Sequence, residues 1–188
     1  RDIGVTGVQT CALPIYWGLI REMGPEARAR LIVLHDGPYG SVPAAELPIG
    51  LDDQAWIEAS TALRLEHELT HLATKRVLGE MRLNLLDELI ADAMGMLAAV
   101  DHYSAELFQR CLQGRWRSYV GQLAEADAAD ALALCLARAQ ELETVLATQL
   151  AMPNDHSQLL PWLCRQRLNR PIQPPADPCN LGATESCH

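Results

Sequence analysis

The chain has 188 residues, of which 49% are hydrophobic, 21% charged and 5% aromatic. This length suits one domain with its own core, and an apolar share dominated by leucine and alanine is typical of packed helices and unlike a β-sandwich. The net charge of -9 disfavours nucleic acid or an anionic membrane surface as a partner, because both would repel the chain. No apolar run reaches the roughly 20 residues that a bilayer span requires, so no membrane span is predicted.

The N-terminal segment is unusual. Residues 1–15 read RDIGVTGVQTCALPI and resemble the translation of a widely used short-read sequencing adapter. We therefore expect this segment to be non-native and the natural N-terminus to be missing, which leaves localisation open. Residues 16–169 are predicted to form one N-terminally truncated domain. Residues 170–188 are rich in proline and polar side chains, with little to bury, and we expect this tail to be disordered.

An extended segment is predicted ahead of the first helix. Residues 29–35 are apolar and partly β-branched and precede a run of turn formers, which is typical of a strand. Residues 41–49 contain Pro43 and Pro48, which lack the backbone donor that a central strand needs, so they are predicted to form an edge or a loop. The predicted fold class is therefore mainly α, with a short N-terminal strand or extended edge segment and a helical C-terminal part.

A long helix is predicted from Asp52 or Asp53, either of which can cap it, to about Leu78, where Gly79 provides a stop. Its inward face begins apolar and becomes polar along its length. The residues on this face are Trp56, Ala59, Leu63, His67, Thr70, His71 and Thr74. Because a buried polar group without a partner costs about 1 to 3 kcal/mol, the polar members need partners, which is the first indication of a site.

Further helices are predicted downstream. The second covers Leu85–Val100, and three small side chains in it would let another helix approach closely: Ala91, Gly95 and Ala98. The others are predicted over residues 104–113, as one or two helices over 116–152, and from Asn154 or Asp155 to about Asn169.

His67, Glu68 and His71 form an HExxH motif on the predicted first helix. Positions i and i+4 lie about one turn apart on one helix face, so both imidazoles can point at one ion. Zinc in catalytic sites takes three protein ligands and keeps a position for water. The motif therefore requires a third ligand elsewhere in the chain.

Glu88 and Asp92 form an ExxxD pair, with the same one-turn spacing, on the predicted second helix. Because only a short turn joins the two helices, they should fold back against each other and bring Glu88 to the histidine pair. Glu88 would then be the third metal ligand. Asp92, one turn further, would accept a hydrogen bond from the distal nitrogen of a histidine, expected to be His67, and fix its orientation.

Over about residues 52–100 the chain resembles the gluzincin metallopeptidases, whose pattern is HExxH followed by an ExxxD helix. The site that this resemblance implies comprises His67, His71 and Glu88 as Zn2+ ligands, Glu68 as general base and Asp92 as support for a ligand histidine. The implied reaction is attack of a zinc-activated water, deprotonated by the general base, on the carbonyl of a peptide or protein substrate.

The chain departs from the gluzincin pattern in two ways. The stretch between the histidines and the ExxxD pair is short, which makes Asp87 a fallback ligand. No residue is clearly placed to stabilise an oxyanion, and Tyr103, His102 and Arg82 are the candidates. A peptidase also needs a strand edge along which an extended peptide can lie, and residues 31–49 are suitably placed for it.

Two other classes of metalloprotein remain as alternatives. Glu68 and His71 also form an ExxH pair, as in helical-bundle carboxylate metalloproteins, but that architecture uses a second ExxH pair, and no other predicted helix carries one. A metal-stabilised binding module without turnover would be consistent with the absence of a clear oxyanion-stabilising residue.

Overall fold

The described part of the chain is helical. The computed structural model describes residue 32 and residues 34–80, 84–121, 123–149 and 159–175. Residues 1–33 and 34–188 form separate units, and all but one of the described residues lie in the second. Its α-helices are α1 (Asp53–Leu78), α2 (Leu85–Val100), α3 (Ala105–Leu112), α4 (Glu125–Gln149) and α5 (Leu159–Leu163). The predicted mainly α class is confirmed.

Helix α1 begins and ends at its predicted capping residues, and α2, which covers the predicted range, begins at a cap that Asn84 provides. The Asp52 carboxylate accepts a hydrogen bond from the backbone N–H of Ala55 at 2.8 Å, and α1 ends before Gly79, whose φ is 78°. The Asn84 side chain accepts hydrogen bonds from two N–H groups in the first turn of α2. These caps satisfy N–H groups that a helix otherwise leaves unpaired, so they fix where the two helices start.

Helices α1 and α2 pack very closely. A methyl group on Gly95 would lie 2.7 Å from the carbonyl oxygen of Leu63, so a larger residue there would push the two helices apart. Ala91 is fully buried on α2, whereas Ala98, which was predicted to share this role, is exposed. Because the backbones approach so closely, polar side chains of moderate length can meet between the two helices.

The segment ahead of α1 consists of turns. Tyr39–Ser41 and Ala44–Glu46 are short 3-10 helices, so residues 41–49, predicted to be an extended edge or a loop, form a loop that includes the second of these turns. The strand predicted over residues 29–35 lies mostly outside the described residues. In the part that the structure describes, no residue belongs to a β-strand, so the peptide-binding edge predicted over residues 31–49 is not seen there.

Tyr39 is fixed between α1 and α3. Its backbone N–H donates to the Ser60 hydroxyl of α1 at 2.9 Å. The next residue, Gly40, has a φ of 61° and lies so close to α3 that a Cβ atom would be 2.7 Å from the Cα of Cys111. Only glycine suits both this backbone conformation and this approach. The turn therefore holds the Tyr39 side chain, which is 4% exposed, in the interior.

The C-terminal helices differ from the predicted ones. Residues 116–152 were predicted to form one or two helices, whereas Trp116–Tyr119 is a 3-10 helix and α4 follows it as a single long helix. Helix α5 ends at Leu163, well before the predicted end near Asn169, because tight turns with hydrogen bonds between residues three apart follow it. No helix among the described residues is both long and apolar enough to cross a bilayer.

The predicted disordered tail begins with residues that contact the helices. Ile172 is 7% exposed, and its backbone N–H donates to the Glu141 carboxylate at 2.8 Å. The carbonyl oxygen of Gln173 accepts a hydrogen bond from the Trp162 indole at 2.8 Å. The remainder of this tail, residues 176–188, and the adapter-like residues 1–15 lie outside the described residues.

Candidate metal centre

Two histidines of α1 and one glutamate of α2 meet in the interior. His67, His71 and Glu88 are 4%, 7% and 2% exposed, and one ligand atom from each lies within 4.8 Å of the other two. The two Nε2 atoms are 3.0 Å apart. Glu88 Oε1 lies 3.3 Å from Nε2 of His71, and Oε2 lies 3.6 Å from Nε2 of His67. The structure thus brings the three predicted ligands together, and this group could hold a metal ion.

A carboxylate of α2 orients each histidine. Asp92 Oδ1 lies 2.6 Å from Nδ1 of His67, and Asp87 Oδ2 lies 2.9 Å from Nδ1 of His71. With Nδ1 donating to a carboxylate, the Nε2 of each ring can offer its lone pair to a metal ion. Asp92 is placed as the ExxxD spacing predicts. Asp87, the predicted fallback ligand, instead lies at the opposite nitrogen of the His71 ring and supports that ring.

One carboxylate oxygen supplies the clearest indication of a cation. Glu88 Oε2 is buried and accepts no hydrogen bond from any described residue, and Nη1 of Arg115 is 3.6 Å away. Burying a carboxylate oxygen without a hydrogen bond is costly. A divalent cation shared with the two Nε2 atoms would remove that cost. Two imidazoles and one carboxylate are also a donor set that such an ion accepts, so the residues fit a metal.

Without a bound metal, His71 carries a proton at neutral pH. Burial alone lowers the pKa of this imidazole, but Asp87 and Glu88, which hydrogen bond to it and carry negative charge, raise the pKa to about 10. The 3.0 Å separation of the His67 and His71 Nε2 atoms likewise requires one of them to donate a hydrogen. A metal ion at this point must displace that proton.

We therefore expect metal binding at pH 7 to release about one proton. Because the pKa of His71 is raised to about 10, the imidazolium persists from neutral pH to near pH 10, and the apparent metal affinity should rise by about tenfold per pH unit over that window. Above the raised pKa the affinity should level off. Calorimetric titration in buffers of different ionisation enthalpy counts the released protons. Binding without proton release would show that His71 is already neutral and contradict this assignment.

Two residues from outside the helix pair complete the surroundings of Asp92. Nη2 of Arg115 lies 3.1 Å from Asp92 Oδ2 and donates to the Tyr39 hydroxyl at 2.7 Å. That hydroxyl donates to Asp92 Oδ1 and lies 3.0 Å from Nδ1 of His67. Burial raises the pKa of Asp92, but Arg115 and His67 outweigh it and hold the pKa below its ordinary value. Asp92 is therefore an ionised acceptor.

Arg115 and Tyr39 were not among the predicted site residues. Neither belongs to a short motif, and each contacts the site across a long stretch of chain, from the turn after α3 and from the first 3-10 helix. The sequence offered one general indication of such a residue: a buried, ionised aspartate on an apolar helix, as Asp92 is, requires a cationic partner. That signal does not say which arginine supplies the charge.

Glu68, the predicted general base, is half-buried on α1 and makes no hydrogen bond or ion pair with a described residue. Two of the three candidates for stabilising an oxyanion are described, and neither makes a hydrogen bond with a residue of the metal group. Tyr103 is buried, and its hydroxyl has no partner among the described residues. His102 is exposed and lies 2.7 Å from the carbonyl oxygen of Val100. Arg82 lies outside the described residues.

A different tyrosine lies near the metal group. The hydroxyl of Tyr119, which is half-buried, is 3.5 Å from Nη1 of Arg115. Burial raises the pKa of Tyr119, and the charge of Glu88 adds to the rise. The hydroxyl is therefore a neutral hydrogen-bond donor at physiological pH. Tyr119 stands in a short 3-10 helix, and its sequence neighbourhood carries no pattern that would have identified it.

Among known protein families, one matches this chain. Residues 26–170 match the family of unknown function DUF7005. Neither a curated protein nor a solved structure matches the chain. The matched range includes the helices α1 to α5, and with them every residue of the metal group and the residues that surround it.

Proposed function

The chain belongs to the family of unknown function DUF7005, and we propose that it is a zinc-dependent, gluzincin-like peptidase that acts on peptides or proteins. One observation carries the proposal. The ligand atoms of His67, His71 and Glu88 lie together in the interior, and one buried oxygen of Glu88 has no hydrogen-bond partner among the described residues. The HExxH and ExxxD spacings, which resemble those of gluzincins, support the assignment.

Zinc is the ion that this donor set suits best. Two imidazoles and a carboxylate are a catalytic zinc set, whereas calcium and magnesium prefer oxygen ligands throughout. The described residues contain one such group, and Glu68 is not part of it, which disfavours the alternative of a helical-bundle site with two metals. A bound zinc ion would lower the pKa of a coordinated water to about 7 and polarise the substrate carbonyl.

Glu68 is the proposed general base. It follows His67 on α1, and its carboxylate has no hydrogen-bond or ion-pair partner among the described residues. A carboxylate that no described residue holds in a hydrogen bond or ion pair can take a proton from the attacking water and deliver it to the leaving amine. The carboxylates of Asp87 and Asp92 do not suit this role, because each is already engaged with a histidine.

Tyr119 is the proposed donor to the oxyanion. Its raised pKa keeps the hydroxyl protonated, and the hydroxyl lies 3.5 Å from Nη1 of Arg115, which is itself 3.6 Å from the Glu88 carboxylate. A donor held in place before the reaction stabilises negative charge as it develops on the substrate oxygen. Tyr119 takes the place of Tyr103 and His102 as the proposed donor, because neither of those two described residues makes a hydrogen bond with the metal group.

The experiment that tests the proposal is hydrolysis of casein and of a mixed peptide library by the zinc-loaded protein. We expect turnover that is lost when a chelator removes the metal and restored by zinc but not by magnesium. A protein that holds one zinc ion per chain and cleaves none of these substrates would contradict the peptidase assignment.

A metal-stabilised binding module without turnover is the second candidate. The low exposure of the metal group favours it, because at most 7% of any of the three ligand residues is accessible. The lack of a strand in the described part of the chain favours it as well. In that case zinc would raise the melting temperature by linkage without any hydrolysis, so thermal denaturation and the casein assay together separate the two candidates.

A further inference from the structure

A single guanidinium contacts both of the α2 carboxylates that matter most to the metal group. Arg115 lies in the turn after α3, where its backbone N–H donates to the Leu112 carbonyl. Its Nη2 lies 3.1 Å from Asp92 Oδ2 and 3.4 Å from Oδ1, and its Nη1 lies 3.6 Å from Glu88 Oε2. The side chain is only 20% exposed, so water does little to screen these interactions.

Tyr39 links Arg115 to the ligand histidine. Its hydroxyl accepts a hydrogen bond from Arg115 at 2.7 Å and donates one to Asp92 Oδ1, the same oxygen that lies 2.6 Å from Nδ1 of His67. Arg115 also lies over the Tyr39 ring, 4.9 Å from its centroid. The result is a continuous chain of contacts from Arg115 through Tyr39 and Asp92 to His67.

These contacts leave the Asp92 carboxylate little freedom to rotate. Oδ2 accepts a hydrogen bond from Arg115, and Oδ1 is hydrogen-bonded to the Tyr39 hydroxyl and to Nδ1 of His67. A carboxylate held at both oxygens holds the imidazole it contacts in one orientation, and that orientation decides whether Nε2 points at the metal. If Arg115 or the Tyr39 hydroxyl were missing, Asp92 could turn and the His67 ring could turn with it.

We propose that Arg115 and Tyr39 are positioning residues that set the metal affinity of the site by fixing Asp92 and, through it, the His67 ring. The inference rests on the proposed metal site and adds to it two residues from outside the helix pair. Their effect is one of geometry. The positive charge of Arg115 by itself repels a cation, so a neutral substitution at this position would mix two opposing effects.

The test therefore uses variants that preserve charge. Arg115→Lys keeps the cation but loses the fork that reaches Asp92 and Tyr39 together, and Tyr39→Phe removes only the hydroxyl. We expect each variant to bind zinc about 10- to 100-fold more weakly in a competition assay with a chromophoric chelator, as is common for residues that support metal ligands. Arg117→Lys is the matched control, since Arg117 lies in the same region but pairs with an exposed glutamate.

Two further measurements separate positioning from a general loss of structure. The effects of Arg115→Lys and Tyr39→Phe on zinc affinity should largely disappear when Asp92 is replaced by asparagine, because both residues act through that carboxylate. Nitrogen-15 NMR of the zinc-loaded variants should show increased exchange of the His67 Nδ1 hydrogen. The two single variants are independent, so failure of one to fold leaves the other as the test.

The outcomes distinguish this inference from the proposed function. A wild-type protein that binds zinc tightly, with both variants within about threefold of it, overturns the positioning role and leaves the metal site intact. Undiminished effects of both variants in the Asp92→Asn background also overturn it, because the residues would then act by another route. A wild-type protein that binds no zinc overturns the proposed function and this inference with it.

Discussion

Replacing Glu68 with glutamine is expected to reduce peptide hydrolysis by about a hundredfold to ten-thousandfold while the protein still binds one zinc ion. Glutamine keeps the size of the side chain but does not accept a proton from water at neutral pH. Zinc should remain, because Glu68 is not among the three residues that could hold the metal. The measurement is kcat on a cleaved library peptide, with zinc content determined on the same sample.

Glu66→Gln is the matched control for Glu68→Gln. Glu66 is also half-buried on α1 and undergoes the same change of charge, but it lies on a different side of the helix from Glu68. Its hydrolysis rate should stay within about twofold of the wild-type rate. If Glu68→Gln cleaves as fast as the wild type, Glu68 is not the general base, and the mechanism proposed above is wrong even if zinc is bound.

Replacing Glu88 with glutamine is expected to lower zinc affinity by more than about a hundredfold. Structural zinc sites with four ligands bind with roughly 10 to 16 kcal/mol in total, so losing one anionic ligand should cost about 3 kcal/mol, which is more than two powers of ten in the dissociation constant.

Competition with a chelator of known affinity measures the Glu88→Gln effect, and Glu58→Gln serves as the control because Glu58 is exposed on α1. Glu58→Gln should bind zinc as the wild type does. Unchanged affinity in Glu88→Gln would show that Glu88 is not a ligand, even though its carboxylate lies 3.3 Å from Nε2 of His71.

The helix pair was predictable from local features. Asp52 and Asn84 are side chains that cap a helix by bonding to N–H groups a few residues away, so their effect can be read within one turn of sequence. The i, i+4 spacing of His67 and His71 fixes their shared face once α1 exists, whatever the rest of the fold does. The short connection to α2 makes the two helices pack side by side, which places Glu88 and Asp92 beside the two histidines.

Features that depend on remote contacts were not predictable in the same way. Arg115 and Tyr39 reach Asp92 because the turn after α3 and the first 3-10 helix pack against the helix pair, and the sequence contains no periodic pattern that encodes this packing. Asp87 was considered as a fallback metal ligand, because the stretch between the histidines and the ExxxD pair is short. Asp87 approaches Nδ1 of His71, and which nitrogen it meets depends on how α2 packs against α1, a contact that includes the close approach at Gly95.

The C-terminal part shows the same limit. Helix α5 ends at Leu163 although the sequence that follows is compatible with a longer helix. The chain turns there and allows Ile172 and Gln173 to contact α4 and α5. The composition of the segment from residue 170 predicts disorder. The contacts of Ile172 and Gln173 depend on where Glu141 and Trp162 lie in the fold, and composition does not contain that information.

X-ray absorption at the zinc edge of the zinc-loaded protein tests the central claim most directly, namely that His67, His71 and Glu88 share one ion. We expect only nitrogen and oxygen atoms around the zinc, with two imidazole ligands at about 2.0 to 2.1 Å and a carboxylate oxygen at about 2.0 to 2.2 Å. In His71→Ala the number of imidazole ligands should fall to one. Fewer than two imidazoles in the wild type, a sulfur ligand at about 2.3 Å, or a second metal nearby would contradict it.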